Sequence, residues 1–185
     1  MNIITFLTLT TYIALILSLI WARIRFFTVR PHEITVWIRL YDPVVAVQIL
    51  ASLYMFGSYT EYSTIAISAC LAILLVSLSL FWRCIVTAKN LDFAFSKKVG
   101  DLITTGPYAI VRHPFYVSYI LIWVSTTILF DSVFHWITLL YLVTFYFMSA
   151  RDEEEVILSS EHSKEYLEYR QRVGMFIPRI TKWKS

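Results

Sequence analysis

Two stretches of this sequence hold side chains spaced for chemistry. The first runs from Gly100-Asp101-Leu102-Ile103 through Thr104-Thr105-Gly106-Pro107-Tyr108 to Arg112-His113-Pro114-Phe115-Tyr116. Gly106-Pro107 signals a turn. His113 precedes a proline and is pushed out of the helical region. Pro114 then suits the first position of a helix, where its missing N–H is no loss. Arg112 and His113 would therefore stand at a helix N-terminus, whose dipole and free N–H groups favour negative ligand groups. The plainer reading is a proline-started helix with a snorkelling arginine beneath aromatic belt residues.

The second stretch is Arg151-Asp152-Glu153-Glu154-Glu155, which leads into Val156–Val173. That segment places Lys164 before Glu168 and Glu168 before Arg172 at i,i+4, a helix-supporting pattern. Gly174 is placed to end the helix and Pro178 to prevent its resumption. Four adjacent carboxylates circle a helix, so at least one must face back toward the protein. A carboxylate near hydrocarbon needs a partner, which here means a cationic ligand group. A solvated charged collar is the plain alternative.

The elements that carry these stretches follow from composition. Of 185 residues, 58% are hydrophobic and 16% charged, against about half and about a quarter in ordinary soluble domains. The charges leave uncharged runs at Met1–Ala22, Pro43–Thr60, Tyr62–Trp82, His113–Phe130 and Ser132–Ala150, each 18 to 22 residues long. A helix needs about 20 residues to cross the hydrocarbon core, and runs this long read as helices. The chain is thus expected to be an all-α integral membrane protein with five transmembrane helices. All 16 Lys and Arg fall in the first connection, the third connection and the C-terminal tail. The positive-inside rule then puts those three segments in the cytoplasm, with the N-terminus outside. The cytoplasmic tail would carry the amphipathic helix, and any site would lie on that face, because the outer turns are too short.

Other chemistries lack a basis. The four glycines form no dinucleotide or phosphate-loop pattern. Cys70 and Cys84 lie too far apart along one helix to pair, and His32, His113, His135 and His162 have no metal-ligand spacing, so no metal is expected. His135 is read as a belt residue near the outer end. Topology and anionic headgroups account for the net charge of +3 without nucleic acid.

The block Thr105-Gly106-Pro107-Tyr108 through Arg112-His113-Pro114-Phe115-Tyr116 resembles the cofactor motif of the isoprenylcysteine carboxyl methyltransferase family. Glu153-Glu154, Glu165-Tyr166-Leu167-Glu168-Tyr169 and Phe176-Ile177-Pro178 resemble that family's C-terminal signature, and phospholipid N-methyltransferases share a looser version. The resemblance covers about residues 89–180. It implies one domain over 1–185, with a three-helix anchor in 1–82 and a cofactor-binding catalytic core in 83–185. It further implies S-adenosylmethionine as cofactor without a Rossmann domain. By motif position, Leu102, Ile103 and Tyr108 would line the adenine and ribose. His113, Pro114, Phe115 and Tyr116 would lie along the cofactor, and Glu154 would accept hydrogen bonds from it.

The substrate implied is a lipid entering sideways from the bilayer, with methyl transfer in line to an isoprenylcysteine-like carboxylate. Arg112 and Arg151 are candidates for holding an anionic substrate group or ordering the site. Members acting on prenylcysteine carry an Arg four residues before the cofactor Glu. Here that position is Ala150, with Arg151 beside it. A phospholipid amine is therefore an open alternative acceptor. Two further alternatives are an NADPH-dependent sterol- or enone-type reductase, using Lys97, Lys98 and Arg112 for the 2′-phosphate, and a non-catalytic membrane protein.

Overall fold

Every uncharged run becomes a helix. A computed structural model describes residues 2–26, 36–58, 61–88 and 102–179. The helices are α1 (Ile3–Phe26), α2 (Val36–Ser58), α3 (Thr64–Thr87), α4 (Pro114–Phe130), α5 (Val133–Leu158) and α6 (Ser163–Arg172), with a 3-10 turn at Gly106–Ala109. Among the described residues there is no strand, only an isolated parallel bridge between Val111 and Gly174. Arg30, His32, Lys89, Lys97, Lys98, Gly100, Asp101, Lys182 and Lys184 lie outside the described residues.

Four helices, α1, α2, α3 and α5, are long and apolar enough to cross a membrane. The fifth, α4, has 17 residues, about 25 Å at 1.5 Å per residue, just short of the hydrocarbon thickness. Pro114 starts it, and Asp131 ends it in the left-handed region at φ 44°. Apolar side chains such as Ile24, Ile65, Val133 and Leu140 cover the outside of the bundle. That is the surface of a chain whose solvent is lipid.

Helices in lipid gain little from hydrophobicity against one another, so close packing and interhelical hydrogen bonds hold them. Tyr12, Leu15, Phe56, Leu74, Phe81, Ile122, Trp123 and Tyr146 form the buried core. Ser77 Oγ donates to the Ser118 carbonyl at 2.8 Å, tying α3 to α4. Trp123 Nε1 donates to Tyr146 Oη at 3.0 Å, which in turn lies 3.1 Å from Tyr41 Oη. This chain fixes the rotation of α5 against α2 and α4. His135 differs from its expected belt position. It is buried, with Nε2 3.3 Å from Ser52 Oγ and Nδ1 3.3 Å from Ser132 Oγ.

One end of the bundle gathers the C-terminal ends of α1, α3 and α5 with the N-terminal ends of α2 and α4. Trp21 stacks on Trp82 at 5.7 Å, and Arg23 pairs with Asp42 at 3.1 Å. The helix α2 begins at Val36, ahead of the uncharged run that starts at Pro43, and continues through that proline. The expected single helix over Val156–Val173 is divided. The Ser159 hydroxyl bonds the Glu155 carbonyl and the Ser160 hydroxyl the Ile157 carbonyl, competing with helix continuation. In α6, Arg172 Nε donates to the Glu168 carbonyl at 3.3 Å.

Gly174 does more than stop a helix. A Cβ there would sit 1.9 Å from the Ile177 carbonyl oxygen. We expect Gly174→Ala to cost about 1–3 kcal/mol through forced backbone displacement. A thermal melt of the purified variant checks this, and an unchanged midpoint would contradict the tight turn.

Candidate functional site

The site begins with a turn anchored to α3. Gly106 adopts φ +60°, and a Cβ there would lie 2.8 Å from Thr87 Oγ1, so this position needs glycine. After the 3-10 turn, Val111 pairs with Gly174 in the isolated bridge, and the chain reaches His113, the cap of α4, at φ −122° and ψ 64°. Residues 173–175 lie alongside it as a strap. Arg112 N donates to the Gly174 carbonyl at 2.8 Å and His113 N to the Met175 carbonyl at 3.2 Å. From α6, Tyr169 Oη donates to the Tyr108 carbonyl at 2.6 Å.

Into this junction α5 projects Glu154. Tyr146, Ala150 and Glu154 are spaced i, i+4, i+8 and all are buried, so they share the inward face. Glu154 Oε1 accepts from Arg112 Nε at 2.9 Å, Arg112 Nη2 at 2.8 Å and His113 Nε2 at 3.1 Å. Arg112 Nη1 donates to the Val173 carbonyl at 2.5 Å. The side chains of Arg112 and Glu154 are 7% and 4% exposed. Arg170 Nε lies 3.7 Å from Glu154 Oε2.

Glu153 takes the other flank. It accepts a hydrogen bond from Tyr116 Oη and lies 3.4 Å from His113 Nδ1. Both His113 ring nitrogens therefore face carboxylates, and both can donate only when the ring is protonated. Burial opposes that charge, but the hydrogen bonds and fields of Glu153 and Glu154 outweigh it and raise the His113 pKa. Around this pair stand Tyr116, Phe176 and Tyr146. His113 stacks on Tyr116 at 5.8 Å and meets Phe176 edge-on at 6.0 Å, while Tyr116 stacks on Tyr146 at 5.4 Å.

The sequence-predicted residues divide accordingly. Arg112, His113, Tyr116 and Glu154 meet in one cluster, and Pro114 starts the helix that presents them. Tyr108 is buried beneath α6, and Leu102 packs on Tyr166, Tyr169 and Val173. Ile103 is half-buried. Phe115 turns toward α3, 5.8 Å from Phe81. Arg151 is exposed, 5.9 Å above Phe147, while Ala150 takes the inward position. Sequence reasoning assigned no role to Glu153, Tyr166, Tyr169, Arg170 or Phe176. The i,i+3 spacing of Tyr166 and Tyr169, on a helix whose remaining side chains apart from Leu167 are polar, was the signal for a buried face.

Among comparisons with known proteins, residues 62–165 match the family model described as phospholipid methyltransferase. The match runs from just before α3 into α6, more than half of the chain. No curated protein matches the chain.

Two outcomes check the geometry. Removing one partner of a buried pair strands the other charge, so Arg112→Ala should cost about 3–5 kcal/mol. The double change Arg112→Met with Glu154→Leu should cost less than Arg112→Ala alone, as measured by denaturation in detergent. Separately, the raised His113 pKa stabilises the fold fully below its ordinary value of 6.5, and this contribution fades as pH climbs through the raised value. Melting midpoints should fall over that window in the wild type and lose this component in His113→Gln. Parallel curves would contradict the assignment.

Proposed function

The chain belongs to the phospholipid methyltransferase family, and from that premise we propose that it methylates the polar head of a membrane lipid, using S-adenosylmethionine. The carrying observation is the meeting of the loop before α4, the end of α5 and the strap after α6 at one buried cluster. These three pieces belong to the two stretches that the sequence motifs single out, and they touch through Arg112, His113 and Glu154. Family membership favours methyl transfer over the reductase and non-catalytic alternatives.

The residues present fit the cofactor. Its amino-acid end carries an ammonium and a carboxylate, and its base is aromatic. Glu154 Oε2 is approached by Arg170 Nε only to 3.7 Å, and the buried Tyr166 side chain lies against the same carboxylate. Leu102 with Tyr166 and Tyr169 offers an apolar, aromatic surface, suited to a base. When bound, S-adenosylmethionine supplies an electrophilic methyl group on a sulfonium.

The chain's contribution is position and exclusion of water. Arg112 holds the strap against α5, so the segments flanking the cluster stay together. Tyr116, Tyr146 and Phe176 wall the site from the bundle side. Orienting two reactants at about 3–3.5 Å and drying their surroundings supplies much of such catalysis. In this reading the site faces the cytoplasm, the N-terminus lies outside, and α4 completes five spans, because the basic segments then obey the positive-inside rule.

We take a phospholipid amine as the first acceptor. An ammonium must shed a proton before its nitrogen can attack, and Glu153 is the carboxylate open to receive one, with its side chain 40% exposed. A second reading, an isoprenylcysteine-like carboxylate, has support in Arg151. That residue stands at the rim over Phe147, and Phe147 packs on Phe176 at 6.3 Å.

Purified protein given methyl-labelled S-adenosylmethionine should label phosphatidylethanolamine. Label in a base-labile ester of prenylcysteine would favour the second reading, and label in neither would overturn both. Arg151→Ala should leave amine methylation within about twofold and lower carboxylate methylation about tenfold, as expected for a lost charge-assisted hydrogen bond.

A further inference from the structure

Helices that follow one another in this chain do not all pack on one another. Helix α1 lies mainly against α3, and α2 mainly against α5, so a seam runs between α1 and α2. At the end of the bundle that carries the site, Arg23 on α1 and Asp42 on α2 bridge this seam. Arg23 Nη2 lies 3.1 Å from Asp42 Oδ2, and Arg23 Nε lies 3.4 Å from Oδ1. The two side chains are 34% and 61% exposed, and an ion pair so open to its surroundings holds only weakly. Both stand near the ends of apolar spans, where long charged side chains reach water and head groups once apart.

The α2 side of the bridge stands on a hinge. Pro43 lies inside the helix, has no N–H to offer the Arg39 carbonyl, and crowds that carbonyl with its ring. Bends in helices concentrate at such positions. Tyr41 and Asp42 both belong to the short piece ahead of it. Tyr41 reaches inward, where its ring stacks on Phe145 at 4.4 Å and its hydroxyl lies 3.1 Å from Tyr146 Oη. Tyr146 stacks in turn on Tyr116, whose hydroxyl donates to Glu153. One short piece of helix thus carries both the bridge across the seam and the ring that covers the site from the α2 side. Trp123 still bonds Tyr146 when Tyr41 withdraws, so the site survives the movement.

We propose that the piece of α2 ahead of Pro43 is a gate for the lipid substrate, latched by Arg23 and Asp42 and opened by swinging Tyr41 off Tyr146. This rests on the methyltransferase reading above and adds the route by which its phospholipid reaches the site. The weak latch and the missing backbone bond keep opening within thermal reach, while the stacked rings close the site again behind the substrate.

Phosphatidylethanolamine methylation in nanodiscs reads the gate, and S-adenosylhomocysteine binding reads the cofactor site separately. Asp42→Asn weakens the latch and should raise kcat/KM for the lipid, by up to about fivefold, the range of an exposed pair. Pro43→Ala restores the backbone bond and stiffens the hinge. It should lower kcat/KM by about threefold or more without lowering the melting midpoint. Arg23→Cys with Asp42→Cys, joined by a short bis-methanethiosulfonate linker, fixes the seam shut, since Cys70 and Cys84 are buried from the reagent. Lipid methylation should then fall about tenfold or more, with S-adenosylhomocysteine binding unchanged, and return on reduction. Full lipid methylation in the linked protein, or a loss shared equally by S-adenosylhomocysteine binding, would overturn the gate. So would Asp42→Asn and Pro43→Ala shifting kcat/KM in the same direction. Wild-type protein that binds no S-adenosylhomocysteine and methylates no lipid overturns the methyltransferase reading itself.

Discussion

The buried pair of Arg112 and Glu154 is the constraint on which the functional end of the molecule depends. Neither charge tolerates removal from water alone, and each is nearly inaccessible. The planar guanidinium accommodates both partners, with two nitrogens on Glu154 and one on the Val173 carbonyl. A lysine would offer no such fork. One side chain therefore links the loop before α4, the end of α5 and the strap after α6. His113 extends the linkage to Glu153, and Glu153 extends it to Tyr116.

The membrane-embedded half sets the direction in which Glu154 points. Tyr146 is two helical turns before it, and the bonds from Trp123 and Tyr41 hold that side chain inward. Ala150, between them, is fully buried and leaves no room for a longer side chain. The arginine that prenylcysteine-type members carry at this position has no equivalent inside the cluster. Arg151 faces outward, so any role it plays in the carboxylate reading is played at the rim.

Much of this was legible in the sequence because lipid imposes simple rules. Uncharged runs located five helices, Pro114 marked the start of α4, and the acidic run announced a carboxylate needing a cation. The motif blocks named most of the cluster. What escaped notice depended on partners remote in sequence. The parallel pairing of Val111 with Gly174 is a backbone interaction and leaves no side-chain pattern. The Gly174 turn reads as a helix stop until the Ile177 carbonyl is seen against it. His135 finds Ser52 across the bundle, a contact that no local spacing encodes. The division between α5 and α6 lay in Ser159 and Ser160, whose hydroxyls bond backbone carbonyls of the preceding turn.

The central claim is that two segments far apart in sequence form one ligand site, held by the strap. Hydrogen–deuterium exchange with and without S-adenosylhomocysteine tests it most directly, because the amides of Arg112 and His113 are bonded to that strap. Exchange should slow on ligand addition both at residues 110–116 and at residues 166–176. Protection in only one of those segments, or in neither while the ligand demonstrably binds, would contradict it.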